Sequence, residues 1–229
     1  ERDKIAHEQR VMDELSQAMR SVISLDEIYE SMRTHLQKLI GFDYLLLTRV
    51  REEDHFLEVK YAWGKEKRLE HESLSEMSGE SPPPPSPIGE VLARERGVSI
   101  PHLLEVMEEH DVHHAFGTHG EIYHGTEATG VKDVTGSALI APLLVEEQEV
   151  GMIELQSFQA GAYDDRDLVL LTRAANLIAM GVQKSYLLEE SKKHIERLQT
   201  LRRIDRVITE NQSLPMILDT LRDEYVRFL

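Results

Sequence analysis

Ser137-Ala138-Leu139-Ile140-Ala141-Pro142-Leu143-Leu144-Val145, then Glu146-Glu147-Gln148, then Glu149-Val150-Gly151-Met152-Ile153-Glu154-Leu155-Gln156-Ser157 decide the fold of this 229-residue chain. Two apolar runs of strand length, joined by three polar residues, predict a pair of strands with a turn between them. Downstream, Asp164-Asp165-Arg166-Asp167 suits the positive end of a helix dipole. From Asp164 to about Glu210 there is no proline, and Gly181 is the one glycine. Leu168, Leu171, Ala175, Ile178 and Val182 give that helix an apolar seam, which weakens over Ser185–Ser191. It resumes at Ile195, Leu198, Leu201, Ile204 and Ile208. A helix this long outruns one small domain and predicts a connector. The weak stretch reads as solvent-exposed turns or as a coiled-coil stutter.

Upstream of the strand pair, the pattern changes several times. Residues 3–22 predict a helix, since Ile5, Met12, Leu15, Met19 and Val22 follow 7-3-4-3 spacing and share one stripe. Ser24-Leu25-Asp26-Glu27 has the form of a capping box opening a second helix, which Gly41 ends. Phe42–Val50 and Phe56–Trp63 predict strands, with Arg51–His55 as the loop between them. Residues 64–86 read as loop, ending in the polyproline run Pro82–Pro85, a stiff spacer or a ligand for a proline-binding module. Pro87–Glu95 predicts a short helix, Val98–Ile100 a strand and residues 102–115 another helix. Gly117–Thr135, rich in Gly, Thr and His, reads as loop.

Composition limits the chemistry. A net charge of −16 argues against a nucleic-acid partner and against an anionic membrane surface. No run of 18 apolar residues occurs, so no membrane contact is expected from this chain. The chain has no Cys, which excludes thiol catalysis, thiolate metal sites and chromophores attached through Cys. It also fits a reducing compartment, and a cytoplasmic location is the expectation.

A second pattern spans the chain. Leu15–Ile40 aligns on Ile204–Leu229 without a gap, at an offset of 189 residues. Ser24, Leu25, Ile28 and Arg33 recur as Ser213, Leu214, Ile217 and Arg222, and the apolar positions coincide. So long a period suggests tandem domains rather than a solenoid. With Glu1 rather than Met at the start, the expectation is a fragment: one domain plus the opening helices of another.

Gly136–Leu143, Val150–Leu155 and Ala162-Tyr163-Asp164-Asp165-Arg166-Asp167-Leu168-Val169-Leu170-Leu171, followed by Ala174 and Ala175, resemble a GAF domain. That family shows a small residue leading into an apolar strand, Pro-Leu near its end and a Gly opening the next strand. An aromatic residue then precedes the acidic start of the last helix. Pro87–Leu92 is similar to the family's mid-domain helix. Two features depart from the pattern: Gln148-Glu149 replaces a Gly-containing turn, and residues 101–135 are long and rich in His. The resemblance implies an α+β, GAF-like (PAS-related) fold. An antiparallel sheet would carry the N- and C-terminal helices on one face and a variable loop and helix region on the other, with a long connecting C-terminal helix. The expected division is a signalling and dimerisation helix over 1–23, a sensor domain over 24–185, a helical linker over 186–211 and a truncated second domain over 212–229.

Six of eleven histidines fall within residues 102–124. On a helix, His110, His113 and His114 would sit at i, i+3 and i+4 on one face. Neutral imidazoles so placed bind zinc, nickel or copper, and one could be an axial haem ligand. A polar insertion or a pH-sensitive contact is the plainer explanation of the cluster, since its spacing matches no tight metal signature. A pocket, if used, is expected between the sheet and residues 64–135, with Tyr61, Trp63, His110, His113, His114 and Tyr123 as ligand-binding candidates. Tyr61 and Trp63 also suit plain core packing. Some GAF domains bind cyclic nucleotides, but the Asn-Lys of that signature is missing here. An enzymatic subset reduces free methionine sulfoxide with cysteines, which this chain lacks. No Gly-x-Ser-x-Gly elbow or phosphate loop occurs either.

The expectation is therefore a non-catalytic sensory or regulatory domain. It would bind a small ligand or partner and transmit its state through dimeric helices to a downstream output domain in the same chain. The rival readings are a metal or haem sensor built on the His cluster, and a ligand-free dimerisation and linker module. A homodimer seam is expected from Met12, Leu15, Met19, Val22, Ile178, Val182, Ile195 and Leu198. The ligand and any cofactor stay unassigned.

Overall fold

The structure, a computed structural model, describes residues 2–21, 23–51, 56–64, 66–80, 84–110, 114–146 and 148–209. Helix α1 (Arg2–Ser21) buries Val11, Met12, Leu15 and Met19 on its apolar stripe. Helix α2 (Leu25–Leu39) starts at Ser24, whose hydroxyl accepts from the Glu27 amide. The Glu27 carboxylate reaches back to the amide of Ile23 rather than Ser24, so the expected box closes one residue early. Strands β1 (Tyr44–Arg51) and β2 (Phe56–Gly64) pair antiparallel, with a bulge between Leu47 and Thr48. The intervening residues 52–55 lie outside the described residues.

The segment read as loop over 64–86 carries short elements: β3 (Lys67–Arg68), α3 (His71–Glu76) and β4 (Gly79–Glu80). Both strands pair with β2, an edge partner that the local sequence does not reveal. Pro82 and Pro83 of the polyproline run lie outside the described residues. Helix α4 (Pro87–Arg94) is capped by the buried Ser86 hydroxyl, which accepts from the Gly89 amide at 3.0 Å. Strand β5 (Val98–Ile100) follows as expected.

Helix α5 (Leu103–Glu109) stops well short of residue 115. His110 is already extended at φ −135°, ψ 112°. His114–Phe116 form strand β6 against β7 (Ile122–His124), and Ala115 and Phe116 are fully buried there. Burial of those two side chains overrides the helical spacing read from the sequence. A 3-10 turn, Gly125–Ala128, comes next. Strands β8 (Ser137–Val145) and β9 (Gln148–Ser157) pair from Ser137↔Ser157 to Val145↔Gln148. Helix α6 (Asp165–Thr209) begins at Asp164, whose carboxylate accepts from the amides of Arg166 and Asp167.

The main sheet runs β3-β2-β1-β9-β8-β5, with β4 also on β2, and its pairings are antiparallel. β1 and β9 are central and register Leu46 with Glu154 and Thr48 with Met152. Alternation sends Leu45, Leu47, Ile153 and Leu155 to the opposite face. That face meets helices: Tyr29 of α2 stacks on Tyr61 at 4.8 Å, and Arg33 of α2 lies over Trp63. The other face is covered by the region between β2 and β8. Two apolar clusters hold it there. One joins Tyr44, Leu46, Val59, Leu74, Met77 and Phe116; the other joins Leu57, Ile88, Val91, Leu103, Ile140 and Met152.

The chain divides into two compact units, residues 1–183 and 184–229. In the second, the described residues 184–209 are helical, with Leu187, Leu188, Ile195, Leu198 and Leu201 exposed. Residues 210–229 lie outside the described residues, and with them most of the repeat and the expected second domain. The expected dimer seam needs correction. Met12, Leu15, Met19, Ile178 and Val182 are at most 5% exposed within one chain, so they build its core instead of a subunit interface. A Cβ at Gly181 would come within 2.8 Å of Met19 Sδ, so α1 packs directly on α6 at that point. Val22 lies outside the described residues, and Ile195 and Leu198 remain exposed. Among the described residues, no helix is long and apolar enough to cross a membrane.

Candidate functional site

A cavity of about 280 Å³ opens between the two apolar clusters, on the sheet face away from α2. Its floor comes from β1 (Leu46, Thr48), β2 (Leu57, Val59) and β9 (Met152, Glu154). Its cover comes from Met77, Ser78, Gly79 and Glu80, from Ile88 of α4, and from His114 and His124 of the β6–β7 ribbon. The walls mix aliphatic side chains with the polar Thr48, Ser78, Glu80, His114, His124 and Glu154, so the cavity offers both apolar surface and hydrogen-bonding groups.

Glu154 is the unusual member. It sits on a central strand between Leu46 and Ile140 and is only 8% exposed. Burial pushes its carboxyl up to about 7, with the Gln156 amide pulling the other way. Gln156 Nε2 donates to Glu154 Oε1 and to the His114 carbonyl, both at 2.7 Å. Gln156 Oε1 accepts from the Thr135 hydroxyl, which itself accepts from the Phe116 amide. This chain of hydrogen bonds fixes β6 above the sheet and sets the position of His114.

His114 Nε2 lies 3.0 Å from the Met77 carbonyl. A carbonyl only accepts, so Nε2 carries the proton. Burial holds the imidazole down at about 4, His124 adds to the effect, and the Met77 carbonyl opposes it. The ring is therefore neutral near pH 7, and its Nδ1 presents a lone pair. That atom is buried and finds no hydrogen-bond partner among the described residues. The His114 and His124 rings lie nearly perpendicular, with centroids 4.7 Å apart.

The sequence candidates separate into groups. His114 lines the cavity. Tyr61, buried against Tyr29, and Trp63, half-buried against Phe42 and Arg33, are on the face that meets the helices, away from this cavity. Tyr123 packs against the apolar cluster around Met107 and Ala128. His110 caps α5 and His114 starts β6, so the two share no helical face; His113 lies outside the described residues. Among the described residues, no group of three or more His, Cys, Asp or Glu side chains is placed to hold a metal. Sequence reading missed Thr48, His124 and Glu154. The signal for Glu154 was present: with Met152 inward on the same face, period-2 alternation puts Glu154 and Gln156 inward as well.

A GAF domain family model matches residues 22–183, which is most of the chain and contains every element that builds the cavity. The chain belongs to the GAF family. GAF domains act as sensory or regulatory domains in signalling proteins. No curated protein matches the chain. Solved structures agree on the GAF fold. One is the GAF domain of a phosphoenolpyruvate-protein phosphotransferase from Coxiella burnetii, at 12% identity and TM-score 0.59, covering 80% of this chain and 96% of that one. The corresponding Acinetobacter domain gives 14% identity and TM-score 0.57, covering 78% and 94%. A free methionine-R-sulfoxide reductase from Neisseria meningitidis, in complex with its substrate, gives 12% and 0.54, covering 80% and 92%. At these identities the likeness is one of fold.

Proposed function

We propose that this GAF domain is a non-catalytic sensor that binds a small organic ligand in the cavity between the sheet and the β6–β7 ribbon. The observation that supports the reading most strongly is that His114, whose buried Nδ1 has no partner among the described residues, lines the same cavity as Glu154. A buried acceptor without a donor costs roughly 1–3 kcal/mol, and a ligand donor would remove that cost. Ligand occupancy would then favour one packing of the ribbon and of β4 on the sheet.

The signal would leave through α6. Its exposed Leu188, Ile195 and Leu198 support pairing with a second copy of the chain, and a paired helix passes small rotations onward. In this reading the protein is cytoplasmic, and a downstream output domain receives the signal. Native mass spectrometry of the purified chain, compared with its denatured mass, tests the proposal. The expected result is a dimer that carries an organic mass lost on denaturation. A bare chain that also gains no mass from a cell extract would overturn the sensor reading.

A further inference from the structure

The cavity lining restricts the charge of its occupant. None of its described lining residues is Lys or Arg, while Glu154 lies on the floor and the exposed Glu80 at the mouth. A phosphate or carboxylate would enter with no cation to meet it and two carboxyl groups against it. Two acceptors stand there: the Nδ1 lone pair of His114, buried and without a partner among the described residues, and the Glu154 carboxylate, whose Oε1 accepts from Gln156. Gln156 binds both residues, donating to the Glu154 carboxyl and the His114 backbone carbonyl, so they are held as a unit. Around them stand Leu46, Leu57, Val59, Met77, Ile88 and Met152, which suit an apolar body.

We propose that the cavity takes a small organic cation with an apolar body and N–H donors, its charge on Glu154 and a donor on His114 Nδ1. This rests on the ligand-sensing reading above and specifies its chemistry. Binding is coupled to protons. A cation favours the ionised carboxylate, so it binds with release of the Glu154 proton below pH 7 and without it above. The other titratable groups lining the cavity are His114 and His124 from the ribbon and Glu80 from β4; Tyr163, ahead of α6, feels the Glu154 charge.

Three probes of one shape and different charge test the proposal: benzamidinium, benzamide and benzoate, titrated calorimetrically into the full chain. Benzamidinium should bind best and benzoate worst, and benzamidinium should tighten about tenfold from pH 6 to pH 8, as the carboxylate fraction rises. Glu154→Gln should remove that pH response and the preference for the cation, while far-UV circular dichroism confirms an unchanged fold. Benzoate binding as tightly as benzamidinium overturns the proposal, as does a pH response that persists in E154Q. Failure of all three probes also overturns it, whereas an organic mass retained in native spectrometry would still support a sensor of different chemistry.

Discussion

Two buried titratable residues set opposite pH trends in the stability of this domain. The Glu154 carboxyl is raised in the fold, so the native state holds a proton that the unfolded chain has released. Its contribution is complete below about pH 4.5 and is lost as pH rises to about 7. Glu149, also lifted to about 7 by burial and by Glu95, acts in the same direction. His114 is depressed, so its share is complete above about pH 6.5 and is lost as pH falls towards 4. The trends partly cancel in the native protein, and substitution should separate them. E154Q should be more stable than the parent at pH 8 by on the order of 2 kcal/mol, with much less difference at pH 4.5. His114→Gln should steepen the fall in stability between pH 4.5 and 7. Urea unfolding across pH checks both; equal pH profiles for parent and variants would contradict the assignments. Gly151 gives a third residue-scale prediction. A Cβ there would overlap the Thr48 backbone oxygen of the neighbouring central strand. Gly151→Ala should cost about 3 kcal/mol or more, read from the same unfolding curves.

At the scale of elements, caps and exposed faces give separable effects. Ser86→Ala removes the buried cap of α4 and should cost about 1 kcal/mol. Ile195→Glu with Leu198→Glu should convert a dimer to monomer in light scattering and leave the melting of residues 1–183 unchanged, because both side chains are exposed. Retention of the dimer would move the interface elsewhere. The elements also show what the sequence revealed. β8 is read to the residue and β9 to within one, because both are apolar runs bounded by polar turns. α5 is overextended because histidines at helical spacing carry no information about the strand partner that claims His114. Tyr61 and Trp63 alternate correctly, yet alternation does not say which face meets α2 and which faces the cavity. Helical spacing points to His114, yet it lines the cavity for a different reason: β6 and the Gln156 hydrogen bond to its carbonyl place it there. The β3 and β4 edges, two residues each, are too short for any periodic signal.

For the whole molecule, the two faces of one sheet differ in chemistry. Its face towards α2 is aromatic and aliphatic and is closed by the helix. Its other face keeps a polar pair, Glu154 and Gln156, among apolar residues and leaves a cavity above them. Burying an ionisable carboxyl on a central strand costs stability, which is the expected signature of a site kept for binding. A crystal structure of the purified full chain, grown after incubation with cell extract, tests this account most directly. The account predicts small-molecule density in the cavity within hydrogen-bonding distance of His114 Nδ1 and Glu154. A cavity filled by its own Met77 and Met152 side chains, with His114 Nδ1 bonded to protein, would contradict it.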